Sequence, residues 1–506
     1  MKKNLINLAV AAGVAGMAAS AQSAMYINPD KTGSVLLFPY YNAENGNETS
    51  IHIVNTTGDG KAVKVRILEY INSQEVLDFN LYLSPYDHFA FTIFENPNGT
   101  GGALVTRDNS CTVPTLGTEV GDAKYDGYTT EDGAKIQPFL PYLLENQKDP
   151  LKDIVRSKAG HVEVIEMGTL TNPTATFRPL AWATHDADGV PASCAKLVAA
   201  WDPSTGTWTG DATKGVTAVS GGLYGVSNHL NNTDAAAFGI EAGAIADFWA
   251  TGASNHTDPG NLSPSLGQGV QESIVTVGGE SFTLAWNSGW DSVSSLFQKD
   301  WIYNDVMINP VIGGMTDWVV TFPTKRHYVN TAPVKKPFSE LYLLKGASKY
   351  TYAGLACDPV EIKQWNREES TPVGGKPVFS PKPDDIVVEN EICLETNTIA
   401  MGPEGTASAL NVSMGSVGAE YAPGRTLDFI SGESEGWMRM GFQDGQQVMT
   451  PTSIGGVTNV NPTKGLYGLP AMGFAAFKYV NGAMSFGFTS DHKGMVTGSA
   501  VKQPRS

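Results

Sequence analysis

Residues 34–93 repeat a pattern in which apolar side chains occupy every second position. The clearest case is the run Val63, Lys64, Val65, Arg66 and Ile67. Because successive side chains of a strand point to opposite faces of a sheet, this alternation predicts half-buried strands. Short strands separated by turn residues are typical of an antiparallel sandwich. We therefore assign residues 25–110 to an N-terminal β-sandwich region.

The pattern weakens between residues 111 and 269, where Gly, Thr, Asn and Asp dominate. We interpret this stretch as long surface excursions with few strands. Long loops in a compact fold are usually functional or crosslinked, so we expect the interaction surface here. Helices are predicted over residues 235–249 and over residues 292–306, where apolar residues share one face. Residues 111–345 are thus a loop-rich middle region with strands and one or two helices.

Residues 346–506 return to strand patterns and are predicted to form a C-terminal β region, which either shares sheets with the N-terminal region or forms its own. Asp444-Gly445 and Asn481-Gly482 each follow an apolar run, which is a strong hairpin signal. Residues 363–385 are rich in Pro and charge and predict a long loop or linker. The predicted fold class is mainly β, with antiparallel β-sandwich (Ig-like) domains, long loop insertions and a few short helices.

The first 24 residues have the composition of a signal peptide. Lys2 and Lys3 precede a short apolar stretch, and small residues place the cleavage after Ala21 or Ala24. The apolar stretch is too short to span a bilayer, so no transmembrane segment is expected in the mature chain. We predict export through the Sec pathway to the cell surface or the medium, with the periplasm as the alternative.

The four cysteines are expected to form two disulfides, because an even, sparse set is typical of exported proteins. Three pairings are possible. We favour Cys111–Cys194 and Cys357–Cys393, since sequential pairing keeps each bridge within one region. The chain contains no Cys-x-x-Cys motif, which argues against a metal site built from these thiols.

The chain of 506 residues carries a formal net charge of −17, and 41% of its residues are hydrophobic. This apolar content is sufficient for a sizeable core. Nucleic-acid binding requires clustered Lys and Arg, so the acidic balance argues against nucleic-acid partners.

One motif suggests acyl-transfer chemistry. Residues 432–436 fit the Gly-x-Ser-x-Gly pattern, with Ser434 as the candidate nucleophile and Asp444, Asp491 and His492 as possible triad partners. The residues that follow have a strand pattern, whereas the motif requires a helix. Two flanking glutamates would also oppose an oxyanion. A Gly-rich hairpin loop is the competing interpretation.

A second motif suggests a structural calcium ion. Asp186 and Asp188 supply half of an Asp-x-Asp-x-Asp-Gly loop, but the third acid and the bidentate Glu are missing, so an exposed turn is the alternative. The eight histidines show no paired ligand spacing along the sequence. No other cofactor is implied.

Tryptophans are concentrated in the middle region. We predict that Trp201 and Trp208 lie in a surface loop and are available for contacts, because exposed Trp is enriched at interfaces. Trp286, Trp301 and Trp318 lie in patterned elements and are assigned to the core.

Two stretches resemble a known group. Residues 65–87, which include Asn72-Ser73 and Leu83-Ser84-Pro85-Tyr86-Asp87, and residues 316–326 are similar to exported, uncharacterised proteobacterial proteins. The resemblance implies a secreted or cell-surface β protein of Gram-negative origin. It implies no activity and no site residues.

Three hypotheses for function follow. The first is a non-enzymatic structural or interaction protein that acts through protein or extracellular-matrix contacts, including self-association. The second is a glycan- or calcium-dependent binding module centred on residues 180–260. The third is a secreted serine hydrolase that uses Ser434. The scarcity of catalytic groups favours the first.

Overall fold

The structure describes most of the chain from residue 24 onward. A computed structural model describes residues 24–144, 151–232, 235–342, 355–369, 391–402, 408–414, 422–430, 433–442, 448–458, 465–482 and 484–499. The predicted signal peptide, apart from Ala24, lies outside these residues, as does Asp444-Gly445. The described chain is mainly antiparallel β with five short helices, which confirms the predicted fold class.

The first fifteen strands occupy residues 26–246. They are β1 (Tyr26–Ile27), β2 (Val35–Asn42), β3 (Asn47–Asn55), β4 (Gly60–Glu69), β5 (Glu75–Leu83), β6 (His88–Glu95), β7 (Gly102–Thr106), β8 (Cys111–Val113), β9 (Tyr128–Thr129), β10 (Lys135–Pro138), β11 (Ala159–Leu170), β12 (Val216–Thr217), β13 (Leu223–Asn231), β14 (Ala236–Glu241) and β15 (Gly243–Ala246).

The remaining described strands occupy residues 272–499. They are β16 (Glu272–Val277), β17 (Glu280–Ala285), β18 (Gln298–Lys299), β19 (Trp301–Met307), β20 (Met315–Thr321), β21 (Asp358–Pro359), β22 (Glu361–Asn366), β23 (Glu391–Ile392), β24 (Thr396–Met401), β25 (Gly424–Thr426), β26 (Glu435–Gly441), β27 (Val448–Met449), β28 (Ser453–Ile454), β29 (Val457–Thr458), β30 (Gly465–Tyr467), β31 (Leu469–Pro470), β32 (Met472–Asn481), β33 (Met484–Asp491), β34 (Lys493–Met495) and β35 (Gly498–Ser499).

The described helices are short. They are α1 (Pro179–Ala183), α2 (Cys194–Ala200), α3 (Thr207–Gly210), α4 (Gly289–Phe297) and α5 (Lys325–Val329), and single 3₁₀ turns lie at Ile154–Lys158, Leu266–Gln268 and Pro310–Ile312.

Two sheets pack face to face as the first sandwich. One has the order β1-β15-β2-β11-β4-β5-β8, with β12 beside β11, and the other has the order β14-β13-β3-β6-β7-β10-β9. Inward-facing side chains such as Phe38, Val65 and Phe91 fill the space between them. Strands from residues 111–246 complete both sheets, so the predicted boundary at residue 110 does not divide the structure.

Strand β4 is buried along its whole length, although its alternation predicted a half-buried strand. Two of its outward residues, Lys64 and Arg66, are charged and buried. Lys64 Nζ lies 2.8 Å from Asp78 and donates to three carbonyls of the loop at residues 258–261. Arg66 pairs with Glu163 at 2.6 Å and with Glu75 at 2.7 Å. Buried charges require such partners, so polar residues here do not indicate exposure to solvent.

Both helix predictions need correction. Residues 235–249 form strands β14 and β15, and burial in β14 alternates strictly, as a strand requires. The second predicted helix ends early. Helix α4 covers Gly289–Phe297, with the Ser288 hydroxyl accepting from Asp291 N, and β19 begins at Trp301. From Trp301 onward, buried residues recur at every second position and no longer at helical spacing, which ends the helix.

A second sandwich is built from two further sheets. Their orders are β22-β26-β19-β34 and β25-β24-β20-β32-β33, and the core between them includes Trp318, Met438, Met440 and Phe477. Described strands beyond residue 355 pair with β16–β20 or with one another, so they share no sheet with the N-terminal strands.

The hairpin and loop predictions have mixed outcomes. Asn481-Gly482 joins β32 to β33, as predicted. The strands that flank Asp444-Gly445, β26 and β27, pair with other strands instead. The predicted loop over residues 363–385 overlaps β22, and residues 370–385 lie outside the described residues.

Both predicted disulfides are confirmed. Cys111 in β8 is bonded to Cys194 at the start of α2, and Cys357 is bonded to Cys393. The first bridge ties the short helices to the edge of a sheet. The second holds together the segments that carry Asp358 and Glu395, two buried acidic residues.

The two sandwiches meet at a buried polar cluster of Ser73, Tyr342 and Glu395, here called the junction cluster. The carboxylate of Glu395 accepts hydrogen bonds from the Tyr342 hydroxyl and from Ser73 Oγ, the latter at 2.8 Å. The backbone N–H of Glu395 donates to the Tyr70 carbonyl at 3.0 Å. Ser73 and Tyr70 follow β4 of the first sandwich, so one side chain from the second sandwich organises the contact.

Further contacts extend the junction. Arg326 donates to the Asn72 carbonyl at 2.9 Å, which joins the two stretches that carry the family resemblance. Nearby, Thr321 Oγ1 donates to the Pro39 carbonyl at 2.6 Å. An apolar cluster between the sandwiches includes Tyr40, Phe238, Val319 and Phe474.

Glu395→Gln is expected to change how stability depends on pH. Burial raises the pKa of Glu395 to about 7 from its ordinary 4.5, although Lys325 and the two hydroxyl donors act in the opposite direction. Because the folded state then binds the proton more tightly, this group lowers the free energy of unfolding as pH rises from about 4.5 to about 7.

Glutamine mimics the protonated acid and does not titrate. We compare the free energy of unfolding of the natural protein with that of Glu395→Gln. The natural value minus the variant value should fall by up to about 3 kcal/mol between about pH 5 and about pH 8. Urea unfolding followed by Trp fluorescence at both pH values measures this difference. A difference independent of pH would contradict the assignment.

Candidate functional site

The outer face of the second sandwich carries a row of aromatic side chains on β19, β22 and β26. Each strand alternates between the core and solvent. In β26, Met438 and Met440 are fully buried in the core, whereas Trp437 and Arg439 point outward. Trp365 of β22 lies directly opposite Trp437 in the antiparallel register.

The outward rings form a continuous set. The rings of Trp365 and Trp437 stack with centroids 4.1 Å apart and planes at 12°. The ring of Tyr303 meets Trp437 edge-on at 6.4 Å and contacts Trp301 at 5.3 Å. Trp437 is 38% exposed and Tyr303 is 37% exposed. We call Trp301, Tyr303, Trp365, Trp437 and Arg439 the aromatic–arginine face.

Arg439 connects the rings to a charged border. Its guanidinium lies 5.5 Å from the centre of the Trp301 ring, and it pairs with Glu361 at 3.3 Å. Its Nε is buried and makes no hydrogen bond within the described chain. Glu361 also pairs with Lys363 at 2.6 Å.

The charges around the rings nearly balance. The outward charged side chains of this sheet and its border are Lys363, Arg367, Arg439 and Lys493 against Glu361, Glu368, Glu369, Glu435 and Asp305. Four cations less five anions leave −1 at neutral pH, whereas the whole chain carries −17. This face therefore combines a high aromatic content with little net charge.

Sequence reasoning missed this face. It assigned Trp301 to the core, and the structure places that ring half-buried on the outer side. It also interpreted the segment that carries Trp365 as loop. The available signal was alternation within two short runs, Lys363-Gln364-Trp365 and Trp437-Met438-Arg439-Met440, which become neighbours only through strand pairing.

The predicted surface role of Trp201 and Trp208 is wrong, since the two side chains are 9% and 1% exposed. Trp201 Nε1 donates to the Tyr82 hydroxyl at 2.9 Å, and Trp208 stacks on the Tyr82 ring at 5.3 Å. His256 shares the same hydroxyl at 2.9 Å. These rings pack on the outer side of a sheet that the short helices cover, and the Cys111–Cys194 disulfide fixes that cover.

The two other core assignments among the tryptophans are confirmed. Trp286 is 5% exposed and Trp318 is fully buried.

Asp186 and Asp188 lie in an exposed turn. Asp186 Oδ1 accepts from the backbone N–H groups of Asp188 and Val190, which closes the turn without a cation. No third carboxylate joins them among the described residues. Among all the described residues, the one cluster of three or more side chains that could bind a metal is Cys357, Glu391 and Cys393. Its two cysteines are bonded to each other in a disulfide.

Ser434 directly precedes β26, and its carbonyl accepts from Ile308 N at 2.6 Å. A strand follows it, as the sequence predicted, and not the helix of a nucleophile elbow. His492 is half-buried: Nε2 donates to the Val319 carbonyl at 3.0 Å, and Nδ1 lies 3.2 Å from Asn304 Nδ2. Burial lowers the pKa of His492 to about 3. The triad predicted around Ser434 is not assembled, since both nitrogens of this imidazole have other partners.

Comparison with known proteins gave no match: no family model, no curated protein and no solved structure is significantly similar to this chain. Within the described part of the chain, no helix has the length and apolar character needed to cross a bilayer.

Two tryptophan substitutions test which ring lies in the core and which lies at the surface. Trp208→Ala is expected to lower the free energy of unfolding by about 3–5 kcal/mol, because it empties a fully buried site. Trp437→Ala removes a half-exposed ring and one stacking partner, so a loss of about 1 kcal/mol is expected. Denaturant unfolding of both variants measures the contrast, and equal losses would contradict it.

Proposed function

We propose that this protein is an exported, non-enzymatic interaction protein that associates with further copies of itself through the aromatic–arginine face. Export is supported by the composition of the leader and by two disulfides, which persist in oxidising compartments. The resemblance to exported proteobacterial β proteins is in keeping with the same location.

The aromatic–arginine face is the observation that carries the proposal. Trp, Tyr and Arg are the residue types most enriched among residues that dominate binding energy at protein interfaces. Here all three lie together, partly exposed, on a rigid sheet rather than on a loop. A rigid platform loses little conformational entropy when it binds.

The geometry favours a protein partner over a sugar. A sugar ring stacks on an open aromatic face, but Trp437 has one face against Trp365 and meets the ring of Tyr303 on β19. The rings thus offer their edges, together with the apolar and charged groups around them. Side chains of a protein can pack against such a surface.

The low net charge of the face favours a second copy as that partner. The face has a local charge of −1 on a chain of −17, so two acidic molecules meet there with little electrostatic repulsion. A second exposed apolar strip, Met484, Phe486 and Phe488 on β33, belongs to the other sheet of the same sandwich. A contact between two different surfaces is heterologous and produces rings or filaments.

Sedimentation velocity of the purified protein over a concentration series tests self-association. We expect multimers whose fraction rises with protein concentration at a fixed salt concentration. Trp437→Ser and Arg439→Gln should each weaken association at least about tenfold, as removal of an interface anchor does. Circular dichroism would establish that both variants remain folded.

Val311→Ser is the matched control. Val311 is 90% exposed in the turn at Pro310–Ile312, so its loss should leave association unchanged. A monomer at every concentration would overturn the proposal. So would multimers that Trp437→Ser and Arg439→Gln leave intact.

A further inference from the structure

Two histidines that are distant in sequence meet on the first sandwich. His52 lies on β3 and His88 begins β6, the antiparallel neighbour of β3. The register pairs His52 with Ala90 and Val54 with His88, so the two imidazoles are diagonal neighbours on one face. His52 Nδ1 lies 3.0 Å from His88 Nε2, and the rings are nearly parallel, at 11°.

We propose that His52 and His88 form a binding site for a first-row divalent cation such as Zn²⁺. Neutral imidazole is a preferred ligand of Zn²⁺, Cu²⁺ and Ni²⁺. Two nitrogens that bind one ion at about 2.0–2.1 Å lie about 2.9–3.4 Å apart for bond angles between square and tetrahedral. The 3.0 Å separation falls within that range. The ring centres are 5.2 Å apart, so the two nitrogens face each other, and each ring must turn by about 35–45° for both lone pairs to meet at one ion.

A neutral imidazole has one N–H group and one nitrogen with a free lone pair. In the free protein one imidazole donates its N–H to the lone pair of the other across the 3.0 Å contact. Binding of a cation displaces that N–H from the contact. The proton moves by exchange with solvent to the other nitrogen of the same ring, so both imidazoles stay neutral and no net proton is released.

Two acidic residues hold the backbone that carries His88, and a hydroxyl contacts the ring of His52. Asp87 Oδ1 accepts the backbone N–H of His88 at 2.9 Å, and Asp108 Oδ2 accepts that of Ala90 at 3.1 Å. Ser50 Oγ lies 3.2 Å from His52 Nε2, the nitrogen that faces away from His88. Such an outer contact orients a ligating imidazole.

Two protein ligands leave coordination positions open. His88 is exposed, so water or a side chain of another molecule can complete the sphere. Sequence spacing could not reveal this pair, because the residues are 36 positions apart and only the pairing of β3 with β6 joins them.

Isothermal titration of ZnCl₂ into the purified protein tests the site, without chelator, reductant or a polyhistidine tag. We expect saturable binding of one ion per chain. His52→Gln and His88→Gln should each weaken the affinity at least about tenfold, the size of effect known even for residues that only support a metal ligand. The two positions lie on an outer face, and thermal melts would establish that the variants fold.

His327→Gln serves as the control, because His327 stacks on Trp290 at 5.1 Å and lies on α5, outside the first sandwich. Its affinity for Zn²⁺ should match that of the natural protein. Absence of saturable binding, or an equal loss in all three variants, would overturn the proposal. The zinc titration does not depend on self-association. Sedimentation velocity of the zinc-free protein tests self-association separately.

Discussion

The buried carboxyl group of Glu395 is the constraint on which the arrangement of the two sandwiches depends. It is fully buried, and its partners come from both sides, Ser73 from the first sandwich and Tyr342 from the second. A buried acid that loses its partners costs several kcal/mol, so the junction cluster forms only when the sandwiches dock in one orientation. The direction in which the aromatic–arginine face points follows from that docking.

The need to pair buried charges also explains one sheet of the first sandwich. Lys64 and Arg66 of β4 point away from the core between the sheets, yet both are buried and paired with acids. This part of the outer face therefore leaves little apolar surface for partners. The second sandwich differs, because its outer sheet is uncovered at Trp437 and Tyr303 in the described structure. This contrast is the reason we propose the contact surface on the second sandwich and not in the loop-rich region that the sequence suggested.

Local sequence patterns predicted the structural features that depend on residues close together in sequence. The N-terminal strands, the Asn481-Gly482 hairpin and both disulfides follow from period-two alternation, turn chemistry and the cysteine count. These patterns failed where a segment distant in sequence determines whether a side chain is buried. Trp208 looks exposed within a Gly- and Thr-rich stretch, but a disulfide and short helices bury it against Tyr82.

The candidate sites were hidden for the same reason. The aromatic–arginine face combines residues from three strands, and the imidazoles of His52 and His88 meet only across a strand pair. Neither has a compact sequence motif. Export and non-enzymatic function, by contrast, rest on sequence composition and stay proposals that the structure accommodates.

Hydrogen exchange at increasing urea, followed by mass spectrometry, tests most directly whether the junction makes the two sandwiches one cooperative unit. Peptides from β4 and β11 in the first sandwich should lose protection at the same urea concentration as peptides from β20 and β32 in the second, with one common free energy of opening. Loss of protection in one sandwich while the other stays closed would show that the buried contact does not couple them.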